Sequence, residues 1–162
     1  MDVYILRHGE STFNVNHLDD TINCPLTSNG IKQSMALNDS SFSKHYSLII
    51  SSPLRRCLDT LKLSKLTFDD FEINDLFREI RSGCKSDLLN ENEAIIIESE
   101  QEIKERITKI NECLLKKKDL NLSNILIVTH ADLIWNLTAY EVNGELFGKW
   151  LKNAELFHWK CI

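Results

Sequence analysis

The sequence predicts an α/β fold, a three-layer sandwich with a central, mostly parallel sheet and helices on both faces. Short apolar runs of strand-forming residues alternate with amphipathic segments along the chain. Two of these runs, residues 48–51 and 125–128, are almost uninterrupted, as is typical of strands buried on both faces of a parallel sheet. Ligands bind such sheets just beyond the carboxyl ends of the strands, so a functional site is expected at those ends.

The first strand, at residues 3–6, stops abruptly at Arg7, His8 and Gly9. A fixed cation, a titratable imidazole and a glycine at a strand end indicate an anion site. After a polar loop at residues 11–24, with room for one helical turn, Thr27 or Ser28 caps a helix. That helix is predicted to end near Ser40 or Ser41.

A second indication of an anion follows the strand at residues 48–51. Ser52 and Pro53 predict an N-cap with proline at the first helical position. The first turn then carries Arg55 and Arg56. Cations are unfavourable at a helix N-terminus, where the macrodipole favours anions, unless an anion lies beside them.

The remaining elements follow from the same periodicities. Listed in order, they are a strand at 71–74, an adjoining apolar segment at 76–80, an irregular stretch at 81–92, a helix at 98–116, a strand at 125–128 ending in Thr129-His130, a helix through Leu133, Ile134, Leu137 and Tyr140 capped by Asp132, a turn at 144–148, and an edge strand at 157–161. A parallel sheet brings three strand ends to one edge, which carry Arg7 with His8, Ser52 with Arg55 and Arg56, and His130.

The length of 162 residues suits a single domain spanning residues 1–162. No apolar run approaches the roughly 20 residues of a membrane helix, so no membrane partner is expected. The first motif begins at residue 7, which leaves no room for a secretory leader of about 15–30 residues. We therefore expect a cytoplasmic protein.

The five cysteines are scattered without metal-like spacing and are predicted to be free thiols. The formal charge of −5 argues against a nucleic-acid partner, which would need a clustered basic face. It also requires that an anionic substrate be attracted locally, by a few arginines. His17, His45 and His158 have no motif around them and are predicted to be surface or edge residues.

Five motifs, in order, resemble the histidine phosphatase superfamily, in its phosphoglycerate-mutase-like branch. They are LRHGEST at residues 6–12, PLTSNG at 25–30, SSPLRRCLDT at 51–60, LFREIRSG at 76–83 and VTHAD at 128–132. The resemblance runs from end to end and implies a phosphoglycerate-mutase-like α/β sandwich. It implies no cofactor and no metal.

The resemblance also implies roles for individual residues. His8 matches the nucleophile that forms a phosphohistidine, and Glu79 matches the proton donor. His130 matches the second histidine, while Arg7, Arg56 and Asn14 match residues around the phosphate. Arg55 falls in a variable position.

The chemistry of phosphoryl transfer agrees with these roles. A phosphoryl group in flight spreads negative charge over three oxygens, which Arg7, Arg56, His130 and Asn14 can bind. A neutral His8 imidazole is a competent nucleophile. Glu79, if partial burial keeps it protonated, can protonate the leaving oxygen and then accept a proton from water.

Other roles for these residues remain open at this point. Arg56 could pair with Asp59 or Asp20 at the surface, and Glu79 could pair with Arg78 or Arg81. The sequence also departs from the family at residues 84–87, Cys-Lys-Ser-Asp, and at Ala131, where relatives usually carry glycine.

The long substrate-recognition insertions of the glycolytic mutases are absent, which favours a metal-independent phosphatase hydrolysing phosphomonoesters through a phosphohistidine on His8. The alternatives are a phosphoglycerate-type mutase and a catalytically silent phosphate-binding module. The substrate can be a phosphorylated small molecule or a phosphoprotein, and the oligomeric state stays open.

Overall fold

The computed structural model describes residues 1–39 and 42–162 of the chain. Its strands are β1 (Asp2–Arg7), β2 (His45–Ser51), β3 (Thr67–Ile73), β4 (Asn124–Thr129), β5 (Tyr140–Val142), β6 (Glu145–Phe147) and β7 (Leu156–Cys161). Its α-helices are α1 (Thr12–Val15), α2 (Ser28–Ala36), α3 (Arg55–Ser64), α4 (Glu100–Lys118) and α5 (Ala131–Thr138). Single 3-10 turns cover Leu37–Asp39, Asp75–Phe77 and Lys85–Asp87.

Five strands form one sheet in the order β3-β2-β4-β1-β7. Strands β1 to β4 run parallel to their neighbours, and β7 is antiparallel to β1 at the edge. This arrangement confirms the mostly parallel sheet and the edge position of the last strand. Strands β5 and β6 form a separate hairpin.

Two apolar cores, one on each face of the sheet, confirm the three layers. Alternate residues of β1 point to opposite faces, so Val3 and Ile5 join the core beneath α4 and α5, whereas Leu6 joins the core beneath α2 and α3. In α4 the predicted stripe holds, since Ile110 and Leu114 are fully buried in the first core. The carboxyl ends of β1, β2 and β4 meet between the two helical layers.

The predicted cap of α3 is wrong. The helix begins at Arg55 rather than Pro53, and its N-cap residue is Leu54, which has no side-chain capping bond. The Ser52 hydroxyl is 2.8 Å from Nε2 of His130 and accepts a bond from the Leu54 N–H. Asn23 supplies the missing cap from a distance, because its Oδ1 accepts from the Arg55 N–H at 2.7 Å.

The prediction for α5 is wrong at both ends. His130, not Asp132, is the N-cap residue, and Glu79 takes over the capping by accepting from the Leu133 N–H at 3.0 Å. The helix ends at Thr138, so Tyr140 belongs to the hairpin instead. The hairpin turn, Asn143-Gly144, has positive φ at both residues, as a tight two-residue turn requires.

The other differences are small. Thr27 caps α2 as predicted, while Ser40 and Ser41, the predicted end of that helix, lie outside the described residues; α2 itself ends at Ala36. Strand β3 begins four residues before the predicted 71, and the five cysteines are free. Within the described ranges, no helix is long and apolar enough to cross a bilayer.

Candidate active site

His8 is held rigidly just beyond β1, at the carboxyl edge of the sheet. Its N–H donates to the Thr129 carbonyl at 3.0 Å, which continues the pairing of β1 with β4. Its carbonyl accepts from the Ala154 N–H at 3.1 Å and from Nδ2 of Asn153 at 3.2 Å. The loop that leads into β7 therefore fixes His8 from the opposite side.

The His8 imidazole has a defined tautomer. Nδ1 is 2.6 Å from the carbonyl oxygen of Gly9, which can only accept, so Nδ1 carries the proton. Nε2 is then an unprotonated nitrogen, and its lone pair accepts from the Arg56 guanidinium. Burial, reinforced by the neighbouring Arg56, holds the pKa of His8 well below its usual value. The ring is neutral near pH 7, which is the protonation state that a nucleophilic imidazole requires.

Arg56 lies on the first turn of α3 and is 4 % exposed. Its Nε–H is shared between Nε2 of His8 at 3.3 Å and Nδ1 of His130 at 3.2 Å. Nη1 donates to the Ser86 carbonyl at 2.8 Å, and Nη2 donates to Oδ1 of Asp87 at 2.8 Å. The pairing considered for Arg56 with Asp59 or Asp20 is therefore not formed; Arg55 pairs with Asp59 instead.

His130 lies directly behind His8 and Arg56 and is fully buried. Its ring centroid is 5.0 Å from that of His8. Because Nδ1 accepts from Arg56, Nε2 carries the proton and donates to Ser52 Oγ. Burial and Arg56 lower the pKa of His130 well below its usual value, so it too is neutral. Direct contact between His130 and a phosphate remains a prediction.

Glu79 caps the N-terminus of α5. Its carboxylate accepts from the N–H groups of Ile80 at 2.9 Å, Leu133 at 3.0 Å and Asp132 at 3.4 Å. Burial, reinforced by the nearby Asp132, nevertheless raises the pKa of Glu79 to about 7. It is not engaged by Arg78, which pairs with Glu93 at 2.8 Å.

Arg7 and Asn14 complete the set predicted from the motifs. Nη1 of Arg7 donates to the Leu151 carbonyl at 2.7 Å. Nε of Arg7 is buried and has no partner among the described residues, so an anion there would satisfy it. Oδ1 of Asn14 accepts from Nδ2 of Asn153 at 3.1 Å, which leaves the Asn14 amide nitrogen as the group that could bind an anion.

These side chains surround one cavity of about 240 Å³. Its walls include five of the six predicted site residues: Arg7, His8, Asn14, Arg56 and Glu79. His130, the sixth, lies behind Arg56. The structure therefore brings these five side chains together at one cavity, and the roles that the motifs imply for them remain predictions.

Several wall residues were not predicted. His17, expected at the surface, is exposed yet lies at the mouth of the cavity beside Phe13. Asp87, Asp132 and Trp150 also line it. The only sequence signal for Asp87 is its place in the stretch that departs from the family pattern. No group of three or more possible metal ligands occurs within residues 1–39 and 42–162.

The fold and this site define an α/β sandwich with a candidate phosphate pocket at the carboxyl edge of its sheet. The sequence profile of the Histidine phosphatase superfamily (branch 1) matches residues 3–96, more than half of the chain. The chain belongs to this superfamily, whose phosphatase and mutase activities make it a phosphatase- or mutase-type protein. No curated protein sequence matches it.

Solved structures give the same fold. The alpha-ribazole phosphatase from Shigella flexneri is 20% identical, with 93% of this chain and 96% of that chain covered and a TM-score of 0.62. A phosphoserine phosphatase from Entamoeba histolytica, in complex with 3-phosphoglyceric acid, is 23% identical, with 83% and 76% covered and a TM-score of 0.59. A Thermus thermophilus protein is 19% identical, with 96% and 91% covered and a TM-score of 0.64.

Proposed function

We propose that this protein is a metal-independent phosphatase that hydrolyses phosphomonoesters through a phosphohistidine on His8, with Glu79 as proton donor. The observation that carries the proposal is the pairing, in one cavity, of an unprotonated Nε2 on His8 with a carboxyl whose pKa is about 7. A nucleophile that is neutral and an acid that is still protonated coexist near neutral pH.

In the first step, Nε2 of His8 attacks phosphorus and the bond from phosphorus to the leaving oxygen breaks. Glu79 gives its proton to that oxygen, so a neutral alcohol departs and Glu79 becomes a carboxylate. The phosphorylated ring carries positive charge, which the Gly9 carbonyl stabilises through Nδ1–H. Arg7 and Arg56 donate hydrogen bonds to the phosphoryl oxygens and offset their negative charge.

In the second step, a water attacks the phosphohistidine. The Glu79 carboxylate accepts a proton from that water, the phosphorus–nitrogen bond breaks and His8 returns to its neutral form. The products are inorganic phosphate and a protonated Glu79, so the cycle closes with no net change in the protein. No step calls on a metal, and we expect activity to persist in EDTA.

The test is p-nitrophenyl phosphate turnover in EDTA by wild type, His8→Ala and His45→Ala. His45 is an exposed histidine paired with Asp69 at the amino end of β2, the opposite end of that strand from the site, and it serves as the matched control. We expect a loss on the order of 10³-fold or more for His8→Ala and no change for His45→Ala. An alkaline quench followed by mass spectrometry should find the phosphoryl group on the peptide that carries His8.

Turnover that survives His8→Ala would refute the proposal. Vanadate or phosphate binding by wild type, without turnover of any ester, would favour the silent binding module. Exchange of a phosphoryl group between two phosphoglycerates, without release of phosphate, would favour the mutase.

A further inference from the structure

A groove beside the phosphate pocket has no part in the mechanism above. It has a volume of about 340 Å³ and is lined by Ile80, Asp132, Trp135, Asn136 and Trp150. Asp132 and Trp150 belong to the walls of both cavities, so the groove opens directly from the phosphate pocket. The two indole rings are 6.4 Å apart, tilted by 35°.

The position of Glu79 shows which way a leaving group would extend. A general acid must reach the leaving oxygen, so that oxygen lies next to the Glu79 carboxyl. The carboxyl is hydrogen-bonded to the N–H groups of Ile80 and Asp132. Both of those residues line the groove, so the groove lies next to a group attached to an oxygen that Glu79 protonates.

The groove is built from fixed parts. A Cβ added at Gly148 would lie 2.7 Å from the Trp135 ring, so only glycine lets the chain pack so closely on that indole. The same loop carries Trp150 and then Leu151, whose carbonyl holds Arg7. One short segment thus positions both the groove wall and Arg7, the cation that is expected to bind phosphate.

The two cavities differ in their cations. Arg7 and Arg56 line the phosphate pocket together with the carboxyl groups of Glu79, Asp87 and Asp132, whereas the described residues that line the groove include Asp132 and no cation. Lys149, in the same loop as Trp150, turns away and lies 4.8 Å from the Phe157 ring. A cationic or hydrogen-donating group is favoured beside Asp132, and a carboxylate is repelled.

We propose that this groove binds the leaving group, and that the preferred substrates are phosphomonoesters of a flat aromatic alcohol with a cationic or hydrogen-donating substituent. Aromatic rings gain from offset or edge-on contact with indoles beyond the area that they bury. Phosphorylated carboxylic acids are disfavoured. This inference rests on the proposed function, since it takes Glu79 as the acid.

The first measurement is the binding of four phosphonates by calorimetry. Benzylphosphonate against methylphosphonate tests the aromatic contact, and the 4-(aminomethyl)benzyl against the 4-carboxybenzyl compound tests the charge. We expect wild type to favour benzyl over methyl about fivefold or more. It should favour the cationic over the anionic compound about two- to fivefold.

Two variants assign these preferences to residues. Trp150→Ala should bring the ratio of benzyl- to methylphosphonate affinity close to one, because it removes an indole that is 59% exposed on the groove wall. Asp132→Asn should remove the charge preference and leave the ratio of benzyl- to methylphosphonate affinity unchanged. Tyr140→Ala, which truncates an exposed aromatic ring on the hairpin, is the control and should change neither ratio.

The outcomes separate the two proposals. Equal binding of benzyl- and methylphosphonate by wild type, with p-nitrophenyl phosphate turnover intact, would overturn the groove inference alone. An equal loss of both ligands in Trp150→Ala would also overturn it, because the residue would then be structural. If wild type neither binds a phosphonate nor turns over an ester, the proposed function itself fails.

Discussion

Glu79 is subject to opposing influences on its pKa. Three backbone N–H groups and a helix N-terminus stabilise its carboxylate, which by itself would lower the pKa. Burial and the Asp132 charge oppose them and prevail, so that the pKa is about 7. The same carboxyl can therefore be an acid in one step and a base in the next.

We predict that kcat/KM for an alkyl phosphomonoester falls as the pH rises through about 7. Only the protonated Glu79 can protonate an alkoxide, and its proton is lost above that pH. Glu79→Gln should lower kcat/KM by about 10²- to 10⁴-fold and remove this inflection. The pH profile of both proteins provides the check.

p-Nitrophenyl phosphate provides the control for this prediction. Nitrophenolate departs without protonation, so its release should depend far less on Glu79. An unchanged fall near pH 7 in Glu79→Gln would show that another group is responsible.

Asp87 is the residue that the family motifs would not place in this site. It is 6% exposed, and its ion pair with Arg56 occupies a guanidinium edge that borders the phosphate pocket. Burial raises the pKa of Asp87, although Arg56 opposes the shift. A phosphate in the pocket would have to share Arg56 with this carboxylate.

We predict that Asp87→Asn binds vanadate and inorganic phosphate more tightly, by about tenfold, because a competing anion is removed from the pocket. The variant should also unfold at lower temperature, since Arg56 loses its buried partner. Equilibrium titration and thermal unfolding measure the two effects.

Asp59→Asn is the matched control for Asp87→Asn. It also removes one carboxylate, from the exposed Arg55–Asp59 ion pair of α3. It should change neither the affinity for anions nor the unfolding temperature appreciably. Weaker anion binding by Asp87→Asn would mean that Asp87 orients Arg56 for phosphate instead of competing with it.

The loop after His8 packs closely on the first turn of α2. A Cβ at Gly30 would lie 2.0 Å from the Glu10 carbonyl oxygen, and one at Gly9 would lie 2.6 Å from the Gly30 carbonyl oxygen. The Thr27 N–H donates to the Glu10 carbonyl at 2.9 Å. The first turn of α2 therefore sets the path of the chain directly after His8.

We predict that Gly30→Ala destabilises the protein by about 1–3 kcal/mol, despite the better helix propensity of alanine. The backbone of Glu10 must move to admit the methyl group, so His8 should move with it and kcat should fall. Thermal unfolding and p-nitrophenyl phosphate turnover are the measurements. Met35→Ala, at an exposed position of α2, is the control; equal stability of the two variants would contradict the close contact.

The helix ends show what sequence can and cannot predict. Thr27 caps its own helix, and the local motif found it. The caps of α3 and α5 come from Asn23 and Glu79, which are 32 and 54 residues away in the chain. Local patterns cannot detect such caps and indicate the nearest polar residues, Ser52 and Asp132, instead.

The same contrast between local motifs and long-range packing explains which residues of the candidate site the sequence predicts. The sequence predicts His8 and Glu79 as site residues because each belongs to a motif with a recognisable neighbourhood, and both line the cavity. Asp87 and Trp150 come from irregular segments, and only the packing of those segments brings them to the cavity. The Asn143-Gly144 hairpin did carry a local signal, a two-residue turn sequence, which the periodicity of α5 obscured.

The order of strands joins the N-terminal and C-terminal halves of the chain in one sheet. Strand β4, from the C-terminal half, lies between β1 and β2, from the N-terminal half. The candidate site mixes the halves in the same way, since His8 is fixed by Asn153 and Arg7 by Leu151. Sequence periodicity predicted the strands but not this interleaving, because pairing between distant segments leaves no local pattern.

We predict that the chain unfolds in one cooperative transition, as the single domain inferred from its length requires. Tryptophan fluorescence reports only on the C-terminal half, where all three tryptophans lie, and amide exchange in β2 reports on the other half. The two probes should give the same free energy of unfolding. Phosphate at a hundred times its Kd should raise both by about 2.7 kcal/mol, because the site is built from both halves. Two separate transitions, or a shift confined to one probe, would mean that the halves fold independently and that the interleaved sheet does not bind them into one unit.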